Sequence, residues 1–158
     1  MGKINYIKGD LLENPSHFDG ISHGCNCFHS FGAGVARYVR DKFIDAWKAD
    51  LDTKKGDRTK LGTYSFFEYP DFTIFNLYTQ YKYTRHEVDV DYSAVESVFS
   101  RLNENQKGKH IAIPLIGAGL ADGDWDRISN IIEKNTPDLQ ITAFILPQDK
   151  QFHYLLKD

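Results

Sequence analysis

Two glycine-rich segments hold the residue types best suited to chemistry. The first reads His23-Gly24-Cys25-Asn26-Cys27-Phe28-His29-Ser30-Phe31-Gly32-Ala33-Gly34-Val35-Ala36. The second reads Ile113-Pro114-Leu115-Ile116-Gly117-Ala118-Gly119-Leu120-Ala121-Asp122-Gly123-Asp124-Trp125. Each leaves an apolar, strand-like stretch and enters a helical pattern. Glycines at such a junction let the backbone come close to a ligand, and the helix start offers unpaired N–H groups and the positive end of its dipole. Those are the requirements for cradling an anion, although a plain tight turn between strand and helix uses similar glycines. Neither segment fits G-x-x-x-x-G-K-[ST], and neither fits G-x-G-x-x-G closely. Two anion-cradling turns on neighbouring strands suit a diphosphate better than one phosphate, which points to a nucleotide with two linked phosphates. Asp10, after Gly9 at the end of a first strand, could accept a hydrogen bond from an exocyclic amine such as that of adenine, or serve only the turn.

The elements that must position these residues follow from the switching period of the apolar pattern, which marks an α/β layered fold. Strands are expected over residues 4–7, 20–23, 62–69, 72–77, 110–115 and 140–146. The third and fourth, joined by Pro70-Asp71, are expected to be antiparallel neighbours. One helix is expected over 33–47, with Val35, Tyr38, Val39, Phe43 and Ala46 near its inner face. A second is expected from an Asp91 N-cap to about Asn103, and a third over 125–134 behind Asp124. The tail from residue 147 is expected to end in a turn of helix. The architecture expected is a single-domain three-layer α/β/α sandwich, residues 1–158, around a mixed sheet of about six strands. Ligands in such sheets sit outside the carboxyl ends of the strands, where Asn76-Leu77-Tyr78-Thr79-Gln80 would add polar groups.

Composition limits the alternatives. With 158 residues, 41% of them hydrophobic, the chain can bury a sizeable core, so global disorder is excluded. A net charge of −3 argues against a protein held mainly by nucleic-acid backbone charge. There is no apolar run long enough for a membrane span and no signal region at the N-terminus; the cysteine usage suits a reducing, cytoplasmic compartment, and a monomer is expected because nothing demands a partner chain. Cys25 and Cys27, the only cysteines, are too close in sequence for an easy mutual disulfide and too few for a zinc site. His17, His86, His110 and His153 are scattered, and neither metal nor cofactor is expected. The run from Lys54 to Lys60 reads as a solvated basic loop.

At its motifs the sequence resembles the macrodomain family. Gly9-Asp10 looks like the family's first-strand pair, Asn26 with Gly32-Ala33-Gly34-Val35-Ala36 like its asparagine and first phosphate loop, and Ile113-Pro114 through Gly119 like its second loop. Within the family, His23, the Asn76–Gln80 stretch and Gly117 through Trp125 are most similar to the branch of yeast-type ADP-ribose-1″-phosphate phosphatases and terminal ADP-ribose–glutamate hydrolases.

The resemblance implies ADP-ribose binding, with Asp10 and Leu11 toward adenine. Gly24, Cys25, Asn26, Gly32, Ala33, Gly34 and Val35 would share the diphosphate and distal ribose with Gln80, Ile116, Gly117, Ala118, Gly119, Leu120 and Ala121. It implies a phosphatase releasing phosphate from ADP-ribose 1″-phosphate, as in clearing a tRNA-splicing by-product or in NAD metabolism. A non-catalytic binder and a mono-ADP-ribosyl hydrolase are the alternatives. His23 would transfer a proton or merely shape the loop; Asp122 would orient water or merely turn the chain; Asn26 would bind ribose or hold the turn. His29 would close over the site or face solvent. Tyr78, Tyr81 and Tyr83 would wall the distal ribose or cover the sheet edge. Two departures stand against lysine-dependent hydrolysis. Gln80 stands where those hydrolases carry a lysine, with Lys82 two residues on, and Ala121 stands where they carry an aspartate.

Overall fold

A computed structural model describes residues 2–84, 88–119 and 122–156. Six strands form one mixed sheet: β1 (Ile4–Lys8), β2 (Gly20–Cys25), β3 (Tyr64–Glu68), β4 (Thr73–Tyr78), β5 (His110–Ile113) and β6 (Gln140–Ile145), in the order β1-β6-β5-β2-β4-β3. Every neighbouring pair is parallel except β3 with β4, which is antiparallel as the short Pro70-Asp71 link anticipates. Parallel pairing requires long crossovers, and these are the helices: α1 (Gly34–Lys42), α2 (Ile44–Leu51), α3 (Tyr92–Asn105) and α4 (Trp125–Asn135).

The inner strands β2, β4, β5 and β6 are mostly buried because both faces of the sheet are covered there, while the edge strands β1 and β3 stay largely exposed. Along β4, Phe75 and Leu77 enter one core with Val95, Val98 and Phe99 of α3 and Ile128 and Ile132 of α4. The alternate residues Ile74 and Tyr78 enter a second core with Val39 of α1 and Ala46 of α2. Asp91 and Asp124 cap α3 and α4 as their positions predict, accepting from the Ala94 and Asp126 amides at 3.0 Å each.

Two expectations need correction. The single helix expected over 33–47 is two helices, broken at Phe43, whose backbone (φ −130°, ψ 63°) is not helical. The break lets Phe43 meet the rings of Tyr69 and Phe72 edge-on at 5.8 Å, and it leaves Tyr38 58% exposed instead of inward-facing. No glycine or proline marks it, so only the aromatic contacts explain it. The basic run is not wholly solvated: Lys60 is buried, its ammonium donating to the Cys27 carbonyl at 3.2 Å and lying 4.8 Å from the Tyr78 ring centroid. The tail ends in a 3-10 helix, Lys150–Leu155, as a final helical turn would. Among the described residues no helix is long and apolar enough to cross a membrane, and none of their His, Cys, Asp and Glu side chains gather into a group that could hold a metal ion.

Candidate functional site

All five parallel strands end on one side of the sheet, and the segments that follow them enclose a crevice of about 1120 Å³. Gly9–Leu12 follow β1; Gly24 stands near the end of β2, and Asn26, Ser30 and Ala33–Tyr38 follow it. Gln80, Tyr83 and Asp89 follow β4, Pro114–Gly119 and Asp122 follow β5, and Leu146–Asp149, Gln151 and Phe152 follow β6. The crevice has a polarity. At the β1/β6 end stand Leu11, Phe144 and Phe152, with the exposed Asp10 carboxylate beside them. At the β4 end stand Gln80, Tyr83, Asp89 and, from the second glycine loop, Asp122.

The two glycine-rich loops lie between these ends, because β2 and β5 are neighbours. The first closes on the start of α1, where Ala33 is extended and no side chain caps the helix. The first-turn N–H groups are therefore left for another acceptor, and no acidic residue stands in that turn. In the second loop Gly117 has φ +78°, and a Cβ there would lie 2.7 Å from Val90 Cγ2. Ala118 N donates to Leu115 O at 3.1 Å and Gly123 N to Gly117 O at 2.6 Å, which folds the turn back on itself. Gly24 passes so close to β4 that a Cβ would meet Thr79 Oγ1 at 2.9 Å. Among the described lining residues Arg37 is the one lysine or arginine, against Asp10, Asp89, Asp122 and Asp149. An anion in this crevice is thus held by backbone dipoles and amides and not by a cluster of cationic side chains.

Of the residues singled out from sequence, Asp10, Leu11, His23, Gly24, Asn26, Ala33, Gly34, Val35, Gln80, Ile116, Gly117, Ala118, Gly119 and Asp122 line the crevice. Leu120 and Ala121 lie outside the described residues, as does His86. Cys25 and Gly32 do not line it. The Cys25 side chain enters the core beneath α1 and α2, away from the crevice, and burial pushes its thiol well above the usual range. Gly32 faces open space.

Asn26 does the turn duty that was the alternative to ribose binding. Its Oδ1 accepts from Phe28 N at 2.9 Å and Ser30 N at 3.3 Å, and its Nδ2 donates to Ser30 O at 2.9 Å. His23 is 1% exposed and pairs through Nε2 with Asn76 Oδ1 at 2.7 Å. The Asn76 amide donates to Ala46 O and Ser65 Oγ, so its oxygen is left to accept from His23 Nε2–H. Burial lowers the His23 pKa to about 4, against the opposing pull of that bond and of Asp50, so the ring is neutral near pH 7. The burial of the ring and its bond to Asn76 are the features the loop-shaping alternative requires.

His29 neither closes over the crevice nor faces solvent freely. In a left-handed conformation (φ 62°), its Nδ1 meets the fully buried Asp50 at 2.9 Å. Tyr78 OH donates to the other Asp50 oxygen at 2.6 Å, and Tyr81 OH donates to Gly56 O, so only Tyr83 of the three tyrosines reaches the crevice. Sequence reasoning missed Arg37, Tyr38, Asp89 and the tail residues Leu146–Phe152. The aromatic Phe152, placed after the last strand, was the one available signal for the tail.

No protein-family profile matches the chain. It is 40% identical over 147 residues to an uncharacterized 17.5 kDa protein of Enterobacteria phage T4 from the tk-vs intergenic region, covering 87% of this chain and 93% of that one. It is 28% identical to an ADP-ribose 1″-phosphate phosphatase of Scheffersomyces stipitis, covering 90% and 99%, and 26% identical to the human ADP-ribose glycohydrolase OARD1, covering 91% and 92%. Among solved structures, the macrodomain of Mycobacterium tuberculosis DarG superposes with a TM-score of 0.70 at 18% identity, covering 91% of this chain and 98% of that one. Thermosipho africanus DarTG in complex with ADP-ribose gives 0.74 at 15% identity, covering 93% and 42%.

Proposed function

The chain belongs to the macrodomain family, and from that premise we propose that its crevice binds ADP-ribose and hydrolyses ADP-ribose 1″-phosphate to ADP-ribose and inorganic phosphate. One observation carries this reading: two amide-lined glycine turns stand side by side at the ends of β2 and β5, between an apolar end and a polar end. The diphosphate lies over the two turns. Adenine lies at the apolar end, its exocyclic amine donating to Asp10 between Leu11, Phe144 and Phe152. The distal ribose then reaches the β4 end, toward Gln80 and Tyr83.

For hydrolysis, a water oxygen attacks phosphorus, the bond from phosphorus to the C1″ oxygen breaks, and that oxygen leaves with a proton as the ribose hydroxyl. Asp122 is exposed on the second loop and held at φ 55° with its N–H on Gly119 O at 3.0 Å. It orients the water, takes its proton and hands that proton to the departing C1″ oxygen, while the turn amides stabilise the charge on the phosphoryl oxygens. His23 supports the floor of the site from beneath. The protein acts as a cytoplasmic monomer on a small ligand, clearing a by-product of the kind tRNA splicing releases. Gln80, whose amide donates to Lys82 O at 2.7 Å, offers no amine for a lysine-dependent route.

The test is phosphate release from ADP-ribose 1″-phosphate, run beside calorimetric titration with ADP-ribose. Asp122→Asn is expected to lower turnover at least tenfold and leave ADP-ribose affinity within about twofold. Binding without phosphate release supports the second reading, a pure ADP-ribose binder, which the neutral, buried His23 favours. Absence of binding overturns both.

A further inference from the structure

We propose that His29 and Asp50 are positioning residues, whose bond closes a buried hydrogen-bond chain and clamps the first glycine-rich loop in its anion-receiving shape. That this shape serves ADP-ribose rests on the reading above. The chain has a direction. His23 Nε2–H donates to Asn76 Oδ1 at 2.7 Å, and Asn76 Nδ2 donates to Ser65 Oγ at 3.0 Å. Tyr78 gives its one hydroxyl proton to Asp50 Oδ1 at 2.6 Å, so the Ser65 hydroxyl, 2.7 Å from the Tyr78 oxygen, is the donor there. His29 Nδ1 donates to Asp50 Oδ2 at 2.9 Å. Asp50 is thus the acceptor on which both arms end, and a fully buried carboxylate requires donors of this kind.

Both arms start in the segment that carries the loop. His23 stands on β2 at the loop's entry, and its ring meets the buried Phe31 edge-on at 5.4 Å. His29 stands between them with φ 62°, a left-handed backbone that an L side chain adopts only at a cost. Asn26 gathers residues 26–30 into a compact turn through Phe28 N, Ser30 N and Ser30 O, with His29 inside it. The His29–Asp50 bond ties that turn to α2, and Tyr78 ties Asp50 to β4. A few residues on, Ala33 and Gly34 present the uncapped start of α1 to the crevice. Without Asp50 the left-handed backbone at His29 has nothing to offset its cost, and the turn leading into α1 loses its tie to the layer beneath.

The experiment compares the wild-type protein with His29→Gly, His29→Asn, Asp50→Ala and the variant combining His29→Gly with Asp50→Ala. Glycine accepts the left-handed backbone but brings no donor; asparagine accepts it too, and its Nδ2 takes the place of the imidazole Nδ1. In calorimetry, ADP-ribose affinity is expected to fall about tenfold or more in His29→Gly and to stay within about threefold of wild type in His29→Asn. Adding His29→Gly to Asp50→Ala is expected to change affinity by less than about twofold, because the bond is already gone. Without ligand, amide hydrogen exchange over residues 27–34 is expected to quicken about tenfold or more in His29→Gly and to stay near wild type in His29→Asn. Unchanged affinity and exchange in His29→Gly overturn the clamp, as does a His29→Asn protein as impaired as His29→Gly, or losses that multiply in the combined variant. Should thermal melting show Asp50→Ala unfolded, the contrast between glycine and asparagine decides alone. A wild-type protein that binds no ADP-ribose overturns the ADP-ribose reading, and the exchange contrast then decides the clamp by itself.

Discussion

His23 illustrates how one side chain's surroundings decide its role. Its usual pKa near 6.5 makes imidazole a proton shuttle at neutral pH, but burial, beside Phe31 and against the opposing pull of the bond to Asn76, leaves a neutral ring with a pKa of about 4. The folded state then binds fewer protons than the unfolded state between pH 4 and 6.5, so stability is fully present above about pH 6.5 and falls as the pH drops toward 4. The His23 contribution to that loss is roughly 3 kcal/mol. Urea unfolding at pH 7 and pH 4.5 checks it. His23→Gln is expected to cost stability at pH 7 and to show a visibly shallower decline with acid than the wild type. Parallel declines in the two proteins would mean that His23 does not titrate on unfolding.

At the scale of elements, the second glycine loop is the part least tolerant of change. Gly117 combines φ +78° with Val90 and Ile128 within 3.1 Å of where a Cβ would sit. Gly117→Ala is expected to destabilise the fold by about 1–3 kcal/mol and to weaken ADP-ribose binding at least tenfold, because the loop must shift to admit the methyl group. Denaturant titration and calorimetry check the two effects separately. Much of this scale was legible in sequence. The strand-turn-helix order, the Asp91 and Asp124 caps and the antiparallel β3–β4 pair all follow from local patterns. The break at Phe43 does not, because it depends on Tyr69 and Phe72, rings that reach it only after β3 and β4 have paired.

For the whole molecule, the crevice draws its walls from segments that follow five different strands, so one ligand ties together elements from both ends of the chain. Ligand binding should therefore stabilise the protein globally. At a free ADP-ribose concentration 100-fold above Kd, mass action adds about 2.7 kcal/mol, which for a chain of this size raises Tm by roughly 5–11 °C. Thermal melting with and without ADP-ribose measures this directly, and a Tm unmoved at saturating ligand would count against the site.

Local order along the chain sufficed for the α/β class, the two glycine turns and the residues around them, since period, glycine placement and caps act over a few residues. The tertiary structure alone decided what each polar group meets. The partner of His23 lies 53 residues away at Asn76, that of His29 lies 21 residues away at Asp50, and the tail closes a crevice begun at Gly9. Burial and hydrogen bonding are properties of contacts between distant segments, and those contacts exist only once the sheet has assembled.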